Sequence, residues 1–280
     1  MTPKTIKKRI VIKLGGSSLQ NASTLDQLRV IVRGYRNRNY DVVLVHGGGP
    51  AINIELQARG IGWKFIDGQR QTTPEMISVI EDVLAGQVNS SVVDSLNEAG
   101  ISAVGLSGAK DEILFCTQLN EELGQVGSVE AVDIASIEAA LSGAGLPTPV
   151  IAPIGFGLNG EKFNINADWA ATKIAIALKA EKLIFLTDQN GILDRERKPV
   201  RNAVPAQIFE MIEDGTISGG MCTKVLAMMT ALDSGVGQVR VLNASDSSRV
   251  FSRAKVGTLL AYAKDKKPNE PREVMHGRAS

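Results

Sequence analysis

Two lysines of the chain stand beside pairs of glycines, and such a pattern can bind an anion. Lys13 precedes Gly15–Gly16 at the end of an apolar run, and Lys224 follows Gly219–Gly220. Because glycine has no side chain, its backbone can approach a phosphate closely, while the lysine supplies positive charge. For Lys13, a solvated side chain beside a structural turn is an equally good explanation. Both lysines are candidates for binding a phosphate.

Three further glycines, Gly47–Gly49, follow the second apolar run and precede Pro50. Each glycine costs backbone entropy, so sheet stability does not account for three in a row. Their N–H groups would lie beside a helix N-terminus and form an anion site. A tight strand-to-helix turn is the less favoured alternative. His46 could be catalytic, but orienting this loop through a hydrogen bond suits it better.

Polar side chains in two other segments could bind a carboxylate or support the lysines. Arg70, in Gly68-Gln69-Arg70, could clamp a carboxylate through two parallel hydrogen bonds, although its spacing alone favours a surface ion pair. Alternation along an extended segment would put Asn164, Asn166 and Asp168 on one side. Asp168 is also placed to cap the next helix. Two amides and a carboxylate on one side exceed what a cap requires.

The polar segment after the apolar run Leu183–Leu186 could hold a nucleotide. It begins with Thr187 and Asp188, and a turn signal follows at Asn190-Gly191. A plain turn explains this segment equally well.

Several common nucleotide motifs are missing or out of context. The sequence contains no G-x-x-x-x-G-K-[ST] of a P-loop enzyme and no H-R-D or D-F-G set of a protein kinase. Gly155–Gly160 matches G-x-G-x-x-G, but it leads into a hairpin turn at Asn159-Gly160 rather than into a helix. A dinucleotide-dependent oxidoreductase is therefore the least favoured class of enzyme.

Composition excludes other classes of function. The 280 residues are 44% hydrophobic and carry a net charge of only +1, so no basic surface for nucleic acid is indicated. Cys116 and Cys222 lie far apart, and with two histidines they give no metal-ligand spacing. No apolar stretch is long enough to cross a membrane. We expect a cytoplasmic protein without a metal site of its own, a nucleic-acid partner or a membrane partner.

Apolar runs alternate with helical patterns along the chain, which predicts an α/β fold with a largely parallel sheet. The runs are continuous, as in strands covered on both faces. They are Arg9–Leu14, Val42–Val45, Ala103–Leu106, Val150–Ile154, Leu183–Leu186 and Val239–Leu242. Thr24 and Gln27 predict a capping box, and Thr73-Pro74 predicts a second helix start. Ligands of such sheets bind beyond the carboxyl ends of the strands, which is where Lys13, Gly47–Gly49 and the segment from Thr187 are predicted to lie.

Two segments depart from this alternation. Ile113–Thr117 and Val126–Val132 flank a polar loop and, with the Asn159-Gly160 turn, predict antiparallel hairpins that form a lid or an edge. We place a lobe boundary near Lys179, so that residues 1–178 form an N-terminal lobe and residues 179–263 a C-terminal lobe. The charged segment 264–280 is predicted to be a disordered tail.

The ordered set of motifs resembles the amino-acid kinase superfamily, and most closely its acetylglutamate kinases. The matching stretches cover nearly all of the chain from Ile10 to Leu260. They are Lys13–Ser17, His46–Asn53, Asp67–Thr73, Val104–Gly108, Val150–Gly155, Asn164–Ala171, Lys182–Asp194 and Asp214–Lys224. Any one of them is weak, but their order along the chain is specific.

This resemblance implies a three-layer αβα sandwich with a mainly parallel central sheet. The N-terminal lobe would bind the amino acid and form a homodimer, and the C-terminal lobe would bind ATP, with Mg²⁺ held through the nucleotide phosphates. The implied reaction is phosphorylation of the side-chain carboxylate of N-acetyl-L-glutamate, a step of arginine biosynthesis. That carboxylate is already ionised at neutral pH, so the reaction needs no general base.

The resemblance also implies roles for single residues. Catalysis would rest on Lys13 and Lys224, with Asp168 holding both in position. The substrate would contact Gly48, Gly49, Arg70 and Asn164. The nucleotide would lie against Gly15, Gly16, Thr187, Asp188, Gly191, Ile192, Leu193, Gly219, Gly220 and Met221.

The sequence departs from the family at two places. Ala109–Glu112 differs from the usual loop after the serine-glycine pair. We also expect no extra N-terminal helix of the kind that arginine-inhibited hexamers use to link dimers. We therefore expect a dimer with weak or absent arginine inhibition. Two alternatives remain open: a kinase for another small acid, such as aminoadipate or a carrier-bound amino acid, and a non-catalytic amino-acid sensor. The intact Lys13, Asp168 and Lys224 argue against the sensor.

Overall fold

The computed structural model describes residues 7–252 and 256–262. An eight-stranded sheet forms its centre, in the order β12-β14-β13-β11-β1-β2-β8-β5. Neighbouring strands are parallel except β13 and β14. The strands are β1 Lys8–Leu14, β2 Tyr40–His46, β5 Ala103–Ser107, β8 Thr148–Ala152, β11 Lys182–Thr187, β12 Asn202–Ala203, β13 Gln238–Asn243 and β14 Thr258–Leu260. The predicted α/β class with a mainly parallel sheet is confirmed.

Helices cover both faces of this sheet. They are α1 Ala22–Arg36, α2 Gly49–Ala58, α3 Pro74–Glu81, α4 Asn89–Glu98, α5 Ala135–Ser142, α6 Ala167–Ala177, α7 Pro205–Glu213 and α8 Gly220–Asp233. Two 3₁₀ segments, Ser18–Gln20 and Ala244–Phe251, and a π-helical segment, Asp82–Val88, complete the helical elements of the described residues.

Successive residues of the central strands alternate between two apolar cores, as the pleat of a strand requires. In β1, Val11 packs into the core that contains residues of α6 and α8, whereas Ile10 and Ile12 pack into the core that contains residues of α1 and α4. Burial on both faces explains why these strands appear in the sequence as continuous apolar runs. The molecule is therefore the expected three-layer sandwich.

Smaller sheets lie beside the main one. The strands β6 Leu114–Gln118, β7 Gly127–Val132, β9 Ile154–Phe156 and β10 Lys162–Asn164 form a second sheet, and β3 Phe65–Ile66 pairs with β4 Gln69–Arg70. The predicted hairpins are confirmed, because β6 pairs with β7 and β9 pairs with β10 in antiparallel fashion. The run predicted as one strand over Val150–Ile154 is divided at Pro153, which has no N–H to donate to a sheet.

The sequence correctly predicted where one helix starts but not where another does. Thr73 is the N-cap of α3 with Pro74 behind it, as predicted. The capping box at Thr24 is wrong, because α1 begins earlier and the side chain of Asn21 accepts a hydrogen bond from Ser23 N at 3.0 Å. No helix in residues 7–252 and 256–262 is long and apolar enough to cross a membrane.

The strands that carry the candidate motifs are neighbours. In the order β11-β1-β2, their carboxyl ends lie at Thr187, Leu14 and His46. The chain turns from α6 into β11 at Lys179, where we placed the lobe boundary, and β11 pairs directly with β1. The division into lobes stays a prediction, and the segment 264–280 lies outside the described residues.

Candidate active site

The centre of the site is one carboxylate shared by two lysines. Lys13, near the end of β1, places its Nζ 2.9 Å from Asp168 Oδ1. Lys224, in the second turn of α8, places its Nζ 2.7 Å from Asp168 Oδ2. All three side chains are buried, each residue being 8% exposed. The structure therefore brings together the three residues that the sequence singled out as catalytic candidates.

Electrostatics fix the charge of this triad. Burial alone would raise the pKa of Asp168, but the charges and hydrogen bonds of Lys13 and Lys224 outweigh it and lower the pKa to about 2. Burial, together with the like charge of Lys13, lowers the pKa of Lys224, and Asp168 opposes this shift. Two lysine side chains therefore face one ionised carboxylate, and this composition gives the site more positive than negative side chains.

Asp168 does not cap its helix. The N-cap of α6 is Asn166, whose side-chain oxygen accepts hydrogen bonds from Asp168 N at 2.9 Å and from Trp169 N at 3.4 Å. Because Asn166 does the capping, the carboxylate of Asp168 is available to the two lysines.

Lys224 also lies over the ring of Phe185. Its Nζ is 5.6 Å from the ring centroid, which is a further favourable contact for the ammonium group.

The two glycine loops lie against each other at the ends of β1 and β2. A Cβ added to Gly16 would lie 2.7 Å from Gly48 N and 2.8 Å from Gly49 N, so only glycine permits this approach. The N–H of Gly15 donates to Leu186 O at 2.9 Å and is already engaged. Gly15 therefore has no free backbone donor to offer a ligand.

Helix α2 begins at Gly49, with Gly48 as its N-cap. Neither glycine N–H donates a hydrogen bond to another residue of the described chain. Unpaired N–H groups at a helix N-terminus attract an anion. These amides are therefore the backbone donors of the loop.

Arg70 is buried and is not the surface ion pair that its spacing favoured. Its Nη2 donates to Asn53 Oδ1 and, at 3.4 Å, to Gly49 O. Its guanidinium lies over the rings of Phe65 and Trp63, at 4.7 and 5.7 Å from their centroids. Its other terminal nitrogen, Nη1, is buried and has no partner within the described chain. An unpaired buried donor next to the glycine loop suits a carboxylate ligand.

Asn164 is connected to Arg70 through Thr72. Asn164 Nδ2 donates to Thr72 Oγ1 at 3.1 Å, and that hydroxyl donates to Arg70 O at 3.0 Å. The three polar residues of the segment 164–168 therefore have separate roles. Asn164 donates to Thr72, Asn166 caps α6, and Asp168 pairs with the lysines.

The candidate nucleotide residues after β11 form an ordered turn. Thr187 is buried and its hydroxyl donates to Asp188 Oδ1 at 3.1 Å. Ile192 N donates to Thr258 Oγ1 at 2.9 Å, and Gly191, with a φ of 131°, lies against the same threonine. Leu193 bridges to Pro199 across the turn. Asp188 lies close enough to Lys224 for its charge to raise the pKa of that lysine, against the overall lowering.

The second candidate nucleotide segment begins α8. Gly219 is its N-cap with a φ of 56°, and nothing lies within 4 Å of a Cβ added to Gly219 or Gly220. Met221 packs partly against the core. The open backbone at this helix start lies one turn before Lys224.

Two asparagines of this region have contacts that sequence reasoning missed. Asn53 in α2 accepts a hydrogen bond from Arg70, and Asn89 in α4 bonds to His46 Nε2 at 3.1 Å. Single asparagines inside helical patterns carry no signal that would distinguish them from surface residues. The position of each asparagine on the site side of its helix is visible only in the folded chain.

Comparisons with known proteins agree with this arrangement. Residues 8–243 match the sequence model of the amino acid kinase family. The chain is 42% identical over 271 residues to the acetylglutamate kinase of Pelodictyon phaeoclathratiforme, covering 95% of this chain and 88% of that protein. It is 38% identical over 265 residues to the acetylglutamate kinase of Trichlorobacter lovleyi, covering 90% and 91%.

Solved structures share the fold. The protein smu.665 of Streptococcus mutans matches with a TM-score of 0.79 and 29% identity, over 90% of this chain and 98% of that one. Carbamate kinase of Giardia lamblia bound to AMP-PNP matches with a TM-score of 0.69 and 16% identity, over 92% and 99%, a likeness that shows the fold alone. The chain therefore belongs to the amino acid kinase family, in which its two compared sequence relatives are acetylglutamate kinases.

Proposed function

We propose that this protein transfers the γ-phosphoryl group of ATP to the side-chain carboxylate of N-acetyl-L-glutamate, giving an acyl phosphate in arginine biosynthesis. The compared relatives, which match over at least 90% of this chain, are named acetylglutamate kinases. The observation that carries the proposal is the buried pairing of Lys13 and Lys224 on Asp168.

The main obstacle of this reaction is that two anions must meet. At about 4 Å, two unit charges repel by about 1 kcal/mol in water and by about 4 kcal/mol at an effective dielectric near 20. The excess positive charge of the triad offsets this repulsion and stabilises the charge on the phosphoryl oxygens. The nucleophilic carboxylate needs no base, which agrees with a His46 that is fully buried and hydrogen bonded.

The amino-acid substrate would lie between Arg70 and the glycine loop. The unpaired Nη1 of Arg70 would donate to its α-carboxylate. The free amides of Gly48 and Gly49 would donate to the oxygens of the reacting carboxylate, and Asn164 to other polar groups. This assignment keeps the substrate on the side of the triad formed by β2 and α2.

ATP would lie on the other side, against the turn from Thr187 and Asp188 through Gly191, Ile192 and Leu193, and against Gly219, Gly220 and Met221. Gly15 and Gly16 would let the backbone after β1 lie close to the phosphates between the two substrates. The open helix start at Gly219 supports this placement because helix N-termini favour phosphate.

Mg²⁺ would arrive with the nucleotide and neutralise phosphate charge. Each oxygen of Asp168 is paired with a lysine, and this competes with metal binding by the carboxylate. Within residues 7–252 and 256–262 no group of three His, Cys, Asp or Glu side chains could hold a metal ion. Mg²⁺ commonly keeps several waters and binds through substrate phosphates, so the site suits an ion held mainly by ATP.

We also propose the finer organisation that the family resemblance implies. Residues 1–178 would bind the amino acid and dimerise, and residues 179–263 would bind ATP, in a cytoplasmic homodimer. Sedimentation would test the oligomer: a dimer that arginine does not change supports the proposal, and an arginine-responsive hexamer contradicts it.

The activity is tested by incubating the purified chain with ATP, Mg²⁺ and one acceptor at a time, and trapping acyl phosphate with hydroxylamine. We expect N-acetyl-L-glutamate to give the product, while α-aminoadipate gives much less. Higher kcat/KM for another acid would replace the substrate assignment. Binding of acetylglutamate without turnover would instead favour an amino-acid sensor.

A further inference from the structure

A π-helical segment interrupts the long helix that covers the glycine loop. The helix continues from Pro74 to Glu98, but residues Asp82–Val88 form π-type hydrogen bonds, and Asn89 N donates to Leu84 O five residues earlier. One extra residue in a turn rotates everything after it by about 100° relative to an uninterrupted α-helix. Such segments are rare and often occur at functional sites.

The π segment aims two side chains at the loop between β2 and α2. A Cβ added to Gly48 would collide with Leu84 Cδ2 and would lie 3.5 Å from Val88 Cγ2. Leu84 therefore packs directly on Gly48, the N-cap of α2. The following residue, Asn89, is buried and points to the base of the same loop.

Asn89 is held in one orientation by its neighbours. Its Nδ2 donates to Val150 O at 2.9 Å and is also 3.5 Å from Leu106 O. Both partners are carbonyl oxygens, so the nitrogen and not the oxygen of the amide must face them. The absence of a side chain at Gly105 makes room for Asn89 Oδ1.

This orientation sets the tautomer of His46. The second proton of Asn89 Nδ2 is donated to His46 Nε2 at 3.1 Å, so Nε2 must be an acceptor without a proton. The proton of the neutral ring then sits on Nδ1, which donates to Gly47 O at 3.0 Å. Burial lowers the pKa of His46 to about 4, and the charge of Lys13 adds to this, while the bond to Gly47 opposes it.

We propose that Asn89 is a positioning residue that fixes His46 as the Nδ1-protonated ring, and thereby holds the peptide after Gly47 so that the amides of Gly48 and Gly49 stay directed at the substrate. This role rests on the proposed function, because it concerns the binding of the acidic substrate. Asn89 itself touches neither substrate nor nucleotide.

The test combines nuclear magnetic resonance and kinetics on the full chain. The protein has two histidines, His46 and His276, so a ¹⁵N-histidine spectrum contains two imidazoles, and a His276→Gln variant assigns them. We expect wild-type His46 to be neutral and protonated on Nδ1 at pH 7. If the wild-type spectrum showed His46 protonated on Nε2, that measurement alone would overturn the proposal.

Asn89→Leu removes the amide donor. We expect His46 to lose its single tautomer and kcat/KM for acetylglutamate to fall by about 10- to 100-fold, with the KM for ATP unchanged. Asn89→Asp, which can only accept, should move the proton to Nε2. The matched control is Asn97→Leu on the same helix. Within the described part of the chain the exposed side chain of Asn97 bonds only to Ala103, so the tautomer of His46 and the kinetics should stay as in the wild type.

Unchanged acetylglutamate kinetics and an unchanged tautomer in Asn89→Leu would overturn the positioning role. A fall in thermal stability alone, with kinetics for both substrates intact, would do the same. If the wild type failed to phosphorylate acetylglutamate, the proposed function would fall, but the tautomer and its loss in Asn89→Leu would still decide whether Asn89 fixes His46.

Discussion

Lys224 lies 2.7 Å from an oxygen of Asp168, although 56 residues separate them in sequence, and the pair is buried. A second lysine, Lys13, holds the other oxygen of the same carboxylate. Because buried charges require compensation, the carboxylate of Asp168 allows two ammonium groups to lie close together in the interior. The site is therefore assembled around the acidic residue rather than around either lysine.

Replacing Asp168 by asparagine should harm both folding and turnover. The change leaves two buried ammonium groups without their counter-ion, and breaking a buried ion pair in this way costs about 3–5 kcal/mol of unfolding free energy. Loss of the lysine positions should lower kcat by about 100-fold or more. Urea unfolding and the acyl phosphate assay measure the two effects.

The control for this variant is Asp26→Asn. Asp26 pairs with Arg29 one helical turn away and its side chain is 68% exposed, so its loss should change stability by about 0.5 kcal/mol or less. Equal stability of the Asp168 and Asp26 variants would show that the triad is not the buried charge cluster described above.

His46 should make stability depend on pH in the acidic range. Burial lowers the pKa of His46 from 6.5 to about 4, so the unfolded chain binds a proton at a higher pH than the folded chain does. The stability this provides is fully present above pH 6.5 and is lost as the pH falls toward 4. The loss corresponds to about 3 kcal/mol, at 1.36 kcal/mol for each unit of pKa.

Urea unfolding of the wild type and of His46→Gln between pH 7 and pH 4.5 measures this pH-dependent contribution of His46 to the unfolding free energy. The difference in unfolding free energy between the two proteins should shrink as the pH falls, whereas His276→Gln should follow the wild type. A constant difference across this range would mean that His46 is not held neutral by burial.

Arg70→Lys should affect the amino-acid substrate and not the nucleotide. Lysine keeps the charge but cannot hold Asn53 with one nitrogen while it presents another to a carboxylate. Loss of one charged hydrogen bond costs about 1.5–3 kcal/mol, so the KM for acetylglutamate should rise by about 10- to 150-fold. Steady-state kinetics with each substrate varied in turn separate the two KM values.

Arg59→Lys is the matched control, because Arg59 pairs with Glu55 on the surface of α2. It should leave both KM values at the wild-type level. An Arg70→Lys variant that loses affinity for ATP and keeps affinity for acetylglutamate would reverse the proposed placement of the two substrates.

Much of the scaffold was predictable from the sequence because its signals are local. The central strands are buried on both faces, so β1, β2 and β11 appear as continuous apolar runs followed by glycine or polar residues. The division at Pro153 was missed, since an apolar run does not show that its last residue joins another sheet. The cap at Asn21 was missed because Thr24 offers a capping pattern of equal quality.

The site was predictable as a set of residues but not as a geometry. Glycine pairs next to lysine indicate anion binding wherever they occur, yet only the fold brings Lys13 and Lys224 to one carboxylate. The role of Asn89 depends on one extra residue in a helical turn. The apolar stripe of α3 continues through Val83 and Leu84, so the sequence gives no sign of the change to π-type hydrogen bonds.

The charge supplied by Lys224 is the central claim, and the rate of acyl phosphate formation by Lys224→Met tests it most directly. Lys198→Met, at an exposed lysine paired with Glu196, serves as the control. We predict that kcat of Lys224→Met falls by about 100- to 1000-fold while the variant stays folded, and that the control matches the wild type. A folded Lys224→Met variant that phosphorylates acetylglutamate at the wild-type rate would contradict the account.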